Sequence, residues 1–319
     1  MNGEFIRNRY SKKHHYLPVF YLKGFVNSFG CFYVYDKLQD KILPPQKPDS
    51  KYYENHLNNY KFDGEIKFTL EESFFSHFDT EIAPLFAKIR DSEFADDEIN
   101  NLQKFQIIHF IMQLYWRLPH TNRDFSSLIV KEGFTTKLLS VYDGERELSD
   151  QDLPEMMKSL IEDEQSQRLF KSLMSLSPGA MTELYSLFDK WNTYNITSGD
   201  TPLIIGDHPI VLNNPNPSFD KVFGDFVFPI SKNRLLLMCD DVPKFLESAL
   251  VTHINLCVLH QSRYISCHNE KYLFKIIEQY KKLKEIRLDN AIIKMTFDLI
   301  NRQSKFENFT DFLNDYNKK

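Results

Sequence analysis

The stretch Lys12-Lys13-His14-His15-Tyr16-Leu17-Pro18-Val19-Phe20-Tyr21-Leu22-Lys23-Gly24-Phe25 is the most informative part of the sequence. Two adjacent histidines lead into a dense aromatic block, which predicts a short helix or an extended docking segment over 15–25. Adjacent side chains rarely share a face, so His14 and His15 are expected to meet different surroundings. Imidazole is a common metal ligand and acid–base group, and both histidines are therefore candidate catalytic residues. The alternative is one histidine hydrogen-bonded in the core and one at the surface.

The composition predicts a globular chain with a substantial core. Of its 319 residues 42% are hydrophobic, which is enough for one large domain. We expect a single domain over 1–319 with four sub-regions: an N-terminal motif and hairpin over 1–64, a helical block over 65–190, a β-rich block over 191–267 and C-terminal helices over 268–319.

Charge and cysteine content exclude several classes of protein. The net charge of −5 argues against a polyanion binder that acts through its bulk field. None of the four cysteines has the spacing of a zinc finger or a CxxC motif, so reduced, mostly buried thiols are expected. The start of the chain lacks the apolar stretch of a signal peptide, and no apolar run is long enough for a membrane span. We therefore predict a cytoplasmic protein without a membrane partner.

Hydrophobic periodicity predicts an α+β fold. Helices are expected over 69–89, 97–118, 122–141, 150–174, 178–190 and 243–260, with a largely helical tail over 271–316. Strands are expected over 31–36 and 41–43, in short runs over 192–196, 202–205, 209–212, 225–230 and 234–238 with a hairpin turn at 198–200, and over 264–267. The picture is mainly a helical bundle. A small antiparallel sheet, formed by the N-terminal hairpin and the 191–267 region, packs against it.

Two acidic residues lie on one face of the helix predicted over 69–89. Glu72 and Asp79 are seven residues apart, which corresponds to two helical turns. Carboxylates on one stripe can bind a divalent metal through hard oxygen atoms or divide acid and base roles. An ordinary solvated stripe is the alternative.

The helix predicted over 97–118 carries a polar line on an otherwise apolar surface. His109, Gln113 and Arg117 follow one another at intervals of four residues. A buried guanidinium needs an acid or a phosphate as partner, and the candidate acids are Glu72, Asp79 and Asp207. The line is either part of a site or a structural polar network.

Asp207 stands at a turn after an apolar run. In Leu203-Ile204-Ile205-Gly206-Asp207-His208-Pro209, the acid and a histidine follow a predicted strand, and such strand ends often carry functional side chains. Asp207 is accordingly a candidate metal ligand or base. A simple Asx-type turn before His208-Pro209 is the alternative.

These segments resemble a bacterial family known only as domain of unknown function 4238. The His14–Phe25 block is the strongest point of resemblance. The acidic helix, Gln113–Pro119, Leu203–Val211, 228–231 and 255–264 are similar to further family elements. Gly206 stands where the family pattern leads us to expect Ser, which puts the role of a hydroxyl there in doubt. The family has no established activity to carry over.

Two functions are left open. The first is a metal-dependent phosphodiesterase or nuclease, for which the family resemblance loosely suggests a bacterial antiviral-defence or toxin-like setting. His15, Glu72, Asp79 and Asp207 would bind Mg²⁺, Mn²⁺ or Zn²⁺, and Gln113 and Arg117 would hold a phosphate of nucleic acid or a related ligand. The second is a non-enzymatic sensor or binding protein, with a partner protein or a second copy of the chain also conceivable. GxGxxG, GxxxxGK[ST], GxSxG and HExxH motifs are absent from the sequence.

Overall fold

The computed structural model describes residues 11–62, 65–70, 74–91, 99–133, 142–143, 146–147, 149, 151, 162–196, 200–214, 217–219 and 221–316. Its helices are α1 Val19–Leu22, α2 Ser76–Asp91, α3 Asn101–Arg117, α4 Thr121–Glu132, α5 Glu164–Leu173, α6 Pro178–Ser186, α7 Ser248–Gln261, α8 Glu270–Glu285, α9 Ile292–Gln303 and α10 Phe309–Tyr316. Its strands are β1 Lys13–His15, β2 Phe32–Asp36, β3 Lys41–Gln46, β4 Tyr53–Asn55, β5 Asn59–Phe62, β6 Glu65–Thr69, β7 Tyr142–Asp143, β8 Arg146–Glu147, β9 Trp191–Asn195, β10 Ile205–Gly206, β11 Val211–Asn213, β12 Asp225–Ser231, β13 Arg234–Met238 and β14 Tyr264–Cys267.

The α+β prediction is confirmed, and the strands form two main sheets where one was expected. The first sheet has the order β10-β14-β2-β3 and joins the N-terminal hairpin to the later region, as predicted. The second has the order β11-β12-β13-β9 and is built from the later region alone. All pairings in both sheets are antiparallel. Periodicity identifies strands but does not say which of them pair, which explains the difference.

The second sheet is buried on both faces and separates two hydrophobic cores. Along β13, Leu236 and Met238 belong to the core formed with the N-terminal motif and α2–α4, whereas Leu235 and Leu237 belong to the core formed with α7–α9. Successive side chains of a strand point to opposite faces, so one strand serves both cores. This explains why β12 and β13 read as continuous apolar runs rather than alternating ones.

The N-terminal motif docks onto this sheet. Tyr21 stacks on Phe228 with ring centroids 5.1 Å apart, and its hydroxyl donates to the carbonyl oxygen of Pro229 at 2.7 Å. A Cβ on Gly24 would stand 3.1 Å from that of Ser231, so a larger residue here would require its neighbours to shift by a few tenths of an ångström. The aromatic block of the motif is therefore a packing element of the first core.

Several predicted boundaries were wrong for identifiable reasons. The expected start of a helix at residue 97 and the hairpin turn at 198–200 involve residues outside the described ranges. Helix α3 begins after Asn100, whose side chain accepts from the backbone N–H of Gln103 in a capping box. Helix α4 ends before Gly133, which has a φ of 74°, and not at residue 141. The C-terminal region forms three helices, the first of which ends next to Arg287 at a φ of 58°.

Asn255 organises the segment that leads to the predicted Asp207 turn. Only Ile205–Gly206 of the strand expected over 202–205 pairs in the sheet. The fully buried Asn255 side chain satisfies the preceding backbone instead: it accepts from Ile204 N–H at 3.1 Å and donates to the Pro202 carbonyl at 2.8 Å. A side chain thus replaces strand hydrogen bonds here.

Within the described residues, no helix has both the length and the apolar character that crossing a membrane requires.

We expect Asn255→Ala to lower the free energy of unfolding by about 2–4 kcal/mol, because it leaves a buried N–H and a buried carbonyl without partners. Urea denaturation measures this change. The exposed Asn301→Ala is the matched control and should change stability by less than about 0.5 kcal/mol. Equal effects of the two substitutions would contradict this role of Asn255.

Candidate functional site

The guanidinium of Arg117 is buried and pairs with Asp79. Its Nη1 donates to both carboxylate oxygens, at 3.1 and 2.9 Å, and the guanidinium carbon lies 4.5 Å from the centre of the Phe75 ring. The Arg117 side chain is 2% exposed and that of Asp79 18%. Asp79, one of the three acids proposed as partners of Arg117, is therefore paired with it, whereas Glu72 lies outside the described ranges. The pair joins the last turn of α3 to the first turn of α2.

His14 is a structural residue. It is completely buried, and its Nδ1 accepts from the backbone N–H of Asn58 at 2.8 Å. The proton must then lie on Nε2, which donates to the carbonyl of Ser11 at 2.8 Å. Both ring nitrogens are occupied, so this geometry does not support His14 as a catalytic residue. It corresponds to the alternative in which one histidine of the pair lies in the core.

His15 points the other way, into a cleft that it shares with Asp79 and Arg117. Its Nε2 donates to the carbonyl of Asp49 at 3.3 Å, and its ring packs against Tyr53. Burial lowers the pKa of His15, the hydrogen bond to Asp49 acts in the opposite direction, and the charge of Arg117 lowers it further. His15 is thus held mainly neutral beside a cationic group. Strand β1, which pairs with β4, divides the two histidines between core and cleft.

The cleft, here called the Arg117 cleft, has a volume of about 640 Å³. One part of its wall is apolar and formed by α1 and α2, with Pro18, Val19, Phe20, Ala83, Pro84 and Ala87. The polar part holds three cationic side chains, Lys23, Arg90 and Arg117, beside His15. Among the described lining residues, Asp79 is the one acid. The lining of the cleft therefore combines apolar side chains with three cationic ones.

Lys23 and Arg90 were not among the predicted site residues. Lys23 lies inside the N-terminal motif and is exposed, and within the described part of the chain it makes no ion pair. Arg90 follows Asp79, Ala83 and Ala87 on one stripe of α2, at intervals of four, four and three residues. Extending the acidic stripe of the sequence toward the end of the helix would have found it.

Asp207 lies in a different cavity, here called the Asp207 pocket, of about 240 Å³. Its carboxylate accepts from the backbone N–H groups of Arg263 at 2.9 Å and Tyr264 at 3.3 Å. Burial raises the pKa of Asp207, and these two hydrogen bonds partly offset the rise. The remaining lining is Tyr16, Glu54, Pro119, His120 and Gln261. Thus Tyr16 and His15, adjacent in sequence, serve different cavities.

His120, which lines the Asp207 pocket, contacts the buried ring of His208. The rings of His120 and His208 lie 3.6 Å apart between centroids, and each Nε2 is buried without a hydrogen-bond partner among the described residues. Burial lowers the pKa of His208 to about 3 and that of His120 well below its usual value, with the charge of Lys171 contributing at His120. Both rings are therefore neutral at physiological pH.

The glycine at 206 makes room for a hydroxyl from another segment. A Cβ at this position would stand 2.1 Å from the Oγ of Ser262 and 2.6 Å from its Cβ. The Ser262 hydroxyl accepts from His208 N–H at 3.2 Å and donates to the His208 carbonyl at 3.3 Å. The departure from the family pattern at Gly206 is thus matched by a serine that reaches the same place from the end of α7.

Gln113 is not among the residues that line the Arg117 cleft. Gln113 is buried one turn before Arg117, and its Nε2 has no hydrogen-bond partner among the described residues. Glu72 lies outside the described ranges. Within those ranges no three His, Cys, Asp or Glu side chains are placed to hold a metal ion, so His15, Asp79 and Asp207 do not form such a group.

The sequence matches the family described as "Protein of unknown function (DUF4238)" over residues 13–271. The chain belongs to this family, as its resemblance predicted. No curated protein matches it, and no solved structure does. The match ends early in α8, so both cavities lie within the family region.

Protonation of the buried His208 should destabilise the protein in acid. Because the pKa of His208 is lower in the folded state than in the unfolded state, the unfolded chain takes up protons first. The stabilising effect of the neutral ring is complete above about pH 6.5 and is lost as the pH falls toward 3. We expect His208→Gln to reduce the decline of stability between pH 6.5 and 4 by on the order of 1 kcal/mol per pH unit, measured by urea denaturation. The exposed His77→Gln should follow the wild-type profile.

The close approach of positions 206 and 262 predicts a strong coupling between them. Gly206→Ser should lower the free energy of unfolding by about 1–3 kcal/mol through overpacking. Ser262→Gly introduced together with it should restore most of this loss, because the two positions compete for one volume. A double-mutant cycle in chemical denaturation measures the coupling, and additive effects would contradict the interpretation.

Proposed function

We propose that the protein binds a phosphate-bearing ligand in the Arg117 cleft. The observation that carries this proposal is the convergence of Lys23, Arg90 and Arg117 beside His15, in a chain whose overall charge is negative. Guanidinium and ammonium groups donate charge-assisted hydrogen bonds to phosphate oxygens. The apolar wall of the same cleft suits the sugar or base of a nucleotide better than a bare inorganic anion.

The Asp79–Arg117 pair has a positioning role in this proposal. A buried ion pair adds little net stability but fixes geometry, because either charge alone would be costly to bury. Here it holds α2 against α3 and so sets where Arg117 lies relative to the apolar wall. Lys23 is exposed, so its contact with a ligand requires less reorganisation.

Lys23→Ala tests the proposal without disturbing the core, because Lys23 is exposed. We expect it to weaken binding of a nucleoside monophosphate about tenfold, since the loss of one charge-assisted hydrogen bond costs about 1.4 kcal/mol or more. Isothermal titration calorimetry measures the affinity. Lys305→Ala, an exposed lysine outside the cleft lining, is the matched control. Absence of binding to the wild type, or equal effects of both substitutions, would refute the proposal.

A metal-dependent phosphodiesterase is the second candidate, and one observation favours it: His15 and Asp79 line the same cleft. Two ligands do not make a metal site, and Glu72, two turns before Asp79 in sequence, would have to supply a third. A bound divalent ion would then activate water and offset phosphate charge. A nuclease of this kind would suit the defence or toxin setting that the family resemblance suggests.

Elemental analysis after incubation with Mn²⁺ or Zn²⁺ separates the two candidates. The hydrolase requires stoichiometric metal in the wild type, its loss in His15→Ala and its retention in the exposed control His77→Ala. It also requires phosphodiester cleavage that a chelator abolishes. Ligand binding in metal-free protein, without cleavage, is the result expected of a binding protein.

A further inference from the structure

The Arg117 cleft adjoins a second cavity. Lys23 and Arg90 also border this cavity, which has a volume of about 360 Å³ and is here called the Lys232 pocket. Its other lining residues are Gly24, Val26, Asn27, Ser28, Ser231, Lys232 and Asn233. Because Lys23 and Arg90 line both cavities, the two cavities lie side by side, and together they are here called the groove.

The two halves of the groove differ in chemistry. The Arg117 cleft has the apolar wall described above, whereas side-chain amides and hydroxyls dominate the Lys232 pocket. The Lys232 ammonium donates to the carbonyl of Val26 at 2.8 Å, and an ammonium has three N–H groups. No carboxylate occurs among the described residues that line this pocket. The Lys232 pocket is therefore suited to a second anionic group.

The fold joins the backbone segments that carry Lys23 and Lys232. The backbone N–H of Lys232 donates to the carbonyl of Gly24 at 3.0 Å, next to Lys23. The same place holds the tight contact between Gly24 and Ser231, where the N-terminal motif meets the turn between β12 and β13. The backbones that carry Lys23 and Lys232 are thus held in register before any ligand arrives.

We propose that this groove binds single-stranded nucleic acid across at least two successive phosphates, which deepens the function proposed above and rests on it. One phosphate lies between Lys23 and Arg90, and the next lies beside Lys232. A base or sugar between them packs on the apolar wall that Phe20 and Pro84 help to form. An unpaired strand is required because a duplex hides the faces of its bases.

The charge of the whole chain is consistent with such a local site. A net charge of −5 opposes binding along an extended surface, so affinity must come from the few cations of the groove. Each phosphate neutralised in this way contributes to the salt dependence of binding. The number of contacts can therefore be counted from a salt titration.

A length series of single-stranded oligonucleotides tests the proposal. We expect affinity to rise at least about tenfold from thymidine monophosphate to the 5′-phosphorylated dinucleotide, with a steeper salt dependence, measured by calorimetry. Lys232→Ala should weaken dinucleotide binding about tenfold more than mononucleotide binding. Lys244→Ala, an exposed lysine paired with Glu307 outside the groove, is the matched control.

A second variant tests the same pocket in case Lys232→Ala does not fold. Asn233 is exposed, and Asn233→Asp adds a negative charge to the Lys232 pocket without removing a packed group. It should also reduce the gain in affinity that the second phosphate gives, from mononucleotide to dinucleotide. Equal affinity for mono- and dinucleotide, an unchanged gain in both variants, or equal binding of duplex and single strand would overturn this inference. Absence of mononucleotide binding would refute the underlying function as well.

Discussion

The β12–β13 hairpin is the constraint on which the rest of the structure depends. Because both faces of this hairpin are buried, its alternate side chains must satisfy two cores at once. A shift of one residue in its register would exchange the two sets of side chains. Tyr21 depends on this register, because its ring stacks on Phe228 and its hydroxyl donates to the carbonyl of Pro229. These contacts hold the histidine-containing motif on the hairpin. Residues of that motif line both cavities, so the positions of the cavities also depend on the hairpin.

The candidate site forms where that motif meets the helical block. Arg117 ends a helix whose other side chains are largely core, and its charge is matched by Asp79 at the beginning of α2. A similar arrangement holds the turn after α3: the buried Lys171 ammonium donates to the Leu118 carbonyl at 2.8 Å and to the Asn122 side chain. Burial lowers the pKa of Lys171 to about 7. Buried polar groups with defined partners thus position both cavities.

The sequence predicts the secondary-structure elements better than the tertiary contacts between them. The polar line on α3 and the acidic stripe on α2 follow from helical periodicity, and Asp79 is one of the three acids that the sequence predicts as partners of Arg117. Choosing among the three requires tertiary packing, which one sequence does not encode in any local pattern. The orientation of His14 and His15 depends on the three-residue pairing of β1 with β4, too short for a periodicity to show. Similarly, Ser262 and Gly206 are far apart in sequence, and no local pattern at either position predicts their contact.

The contact between positions 206 and 262 also makes the two residues depend on each other. The space holds one hydroxymethyl group, which this chain carries at 262. Serine at both positions would overfill this space, and glycine at both would remove the hydroxyl that bonds the backbone N–H and carbonyl of His208. Each position therefore limits which residue the other can carry.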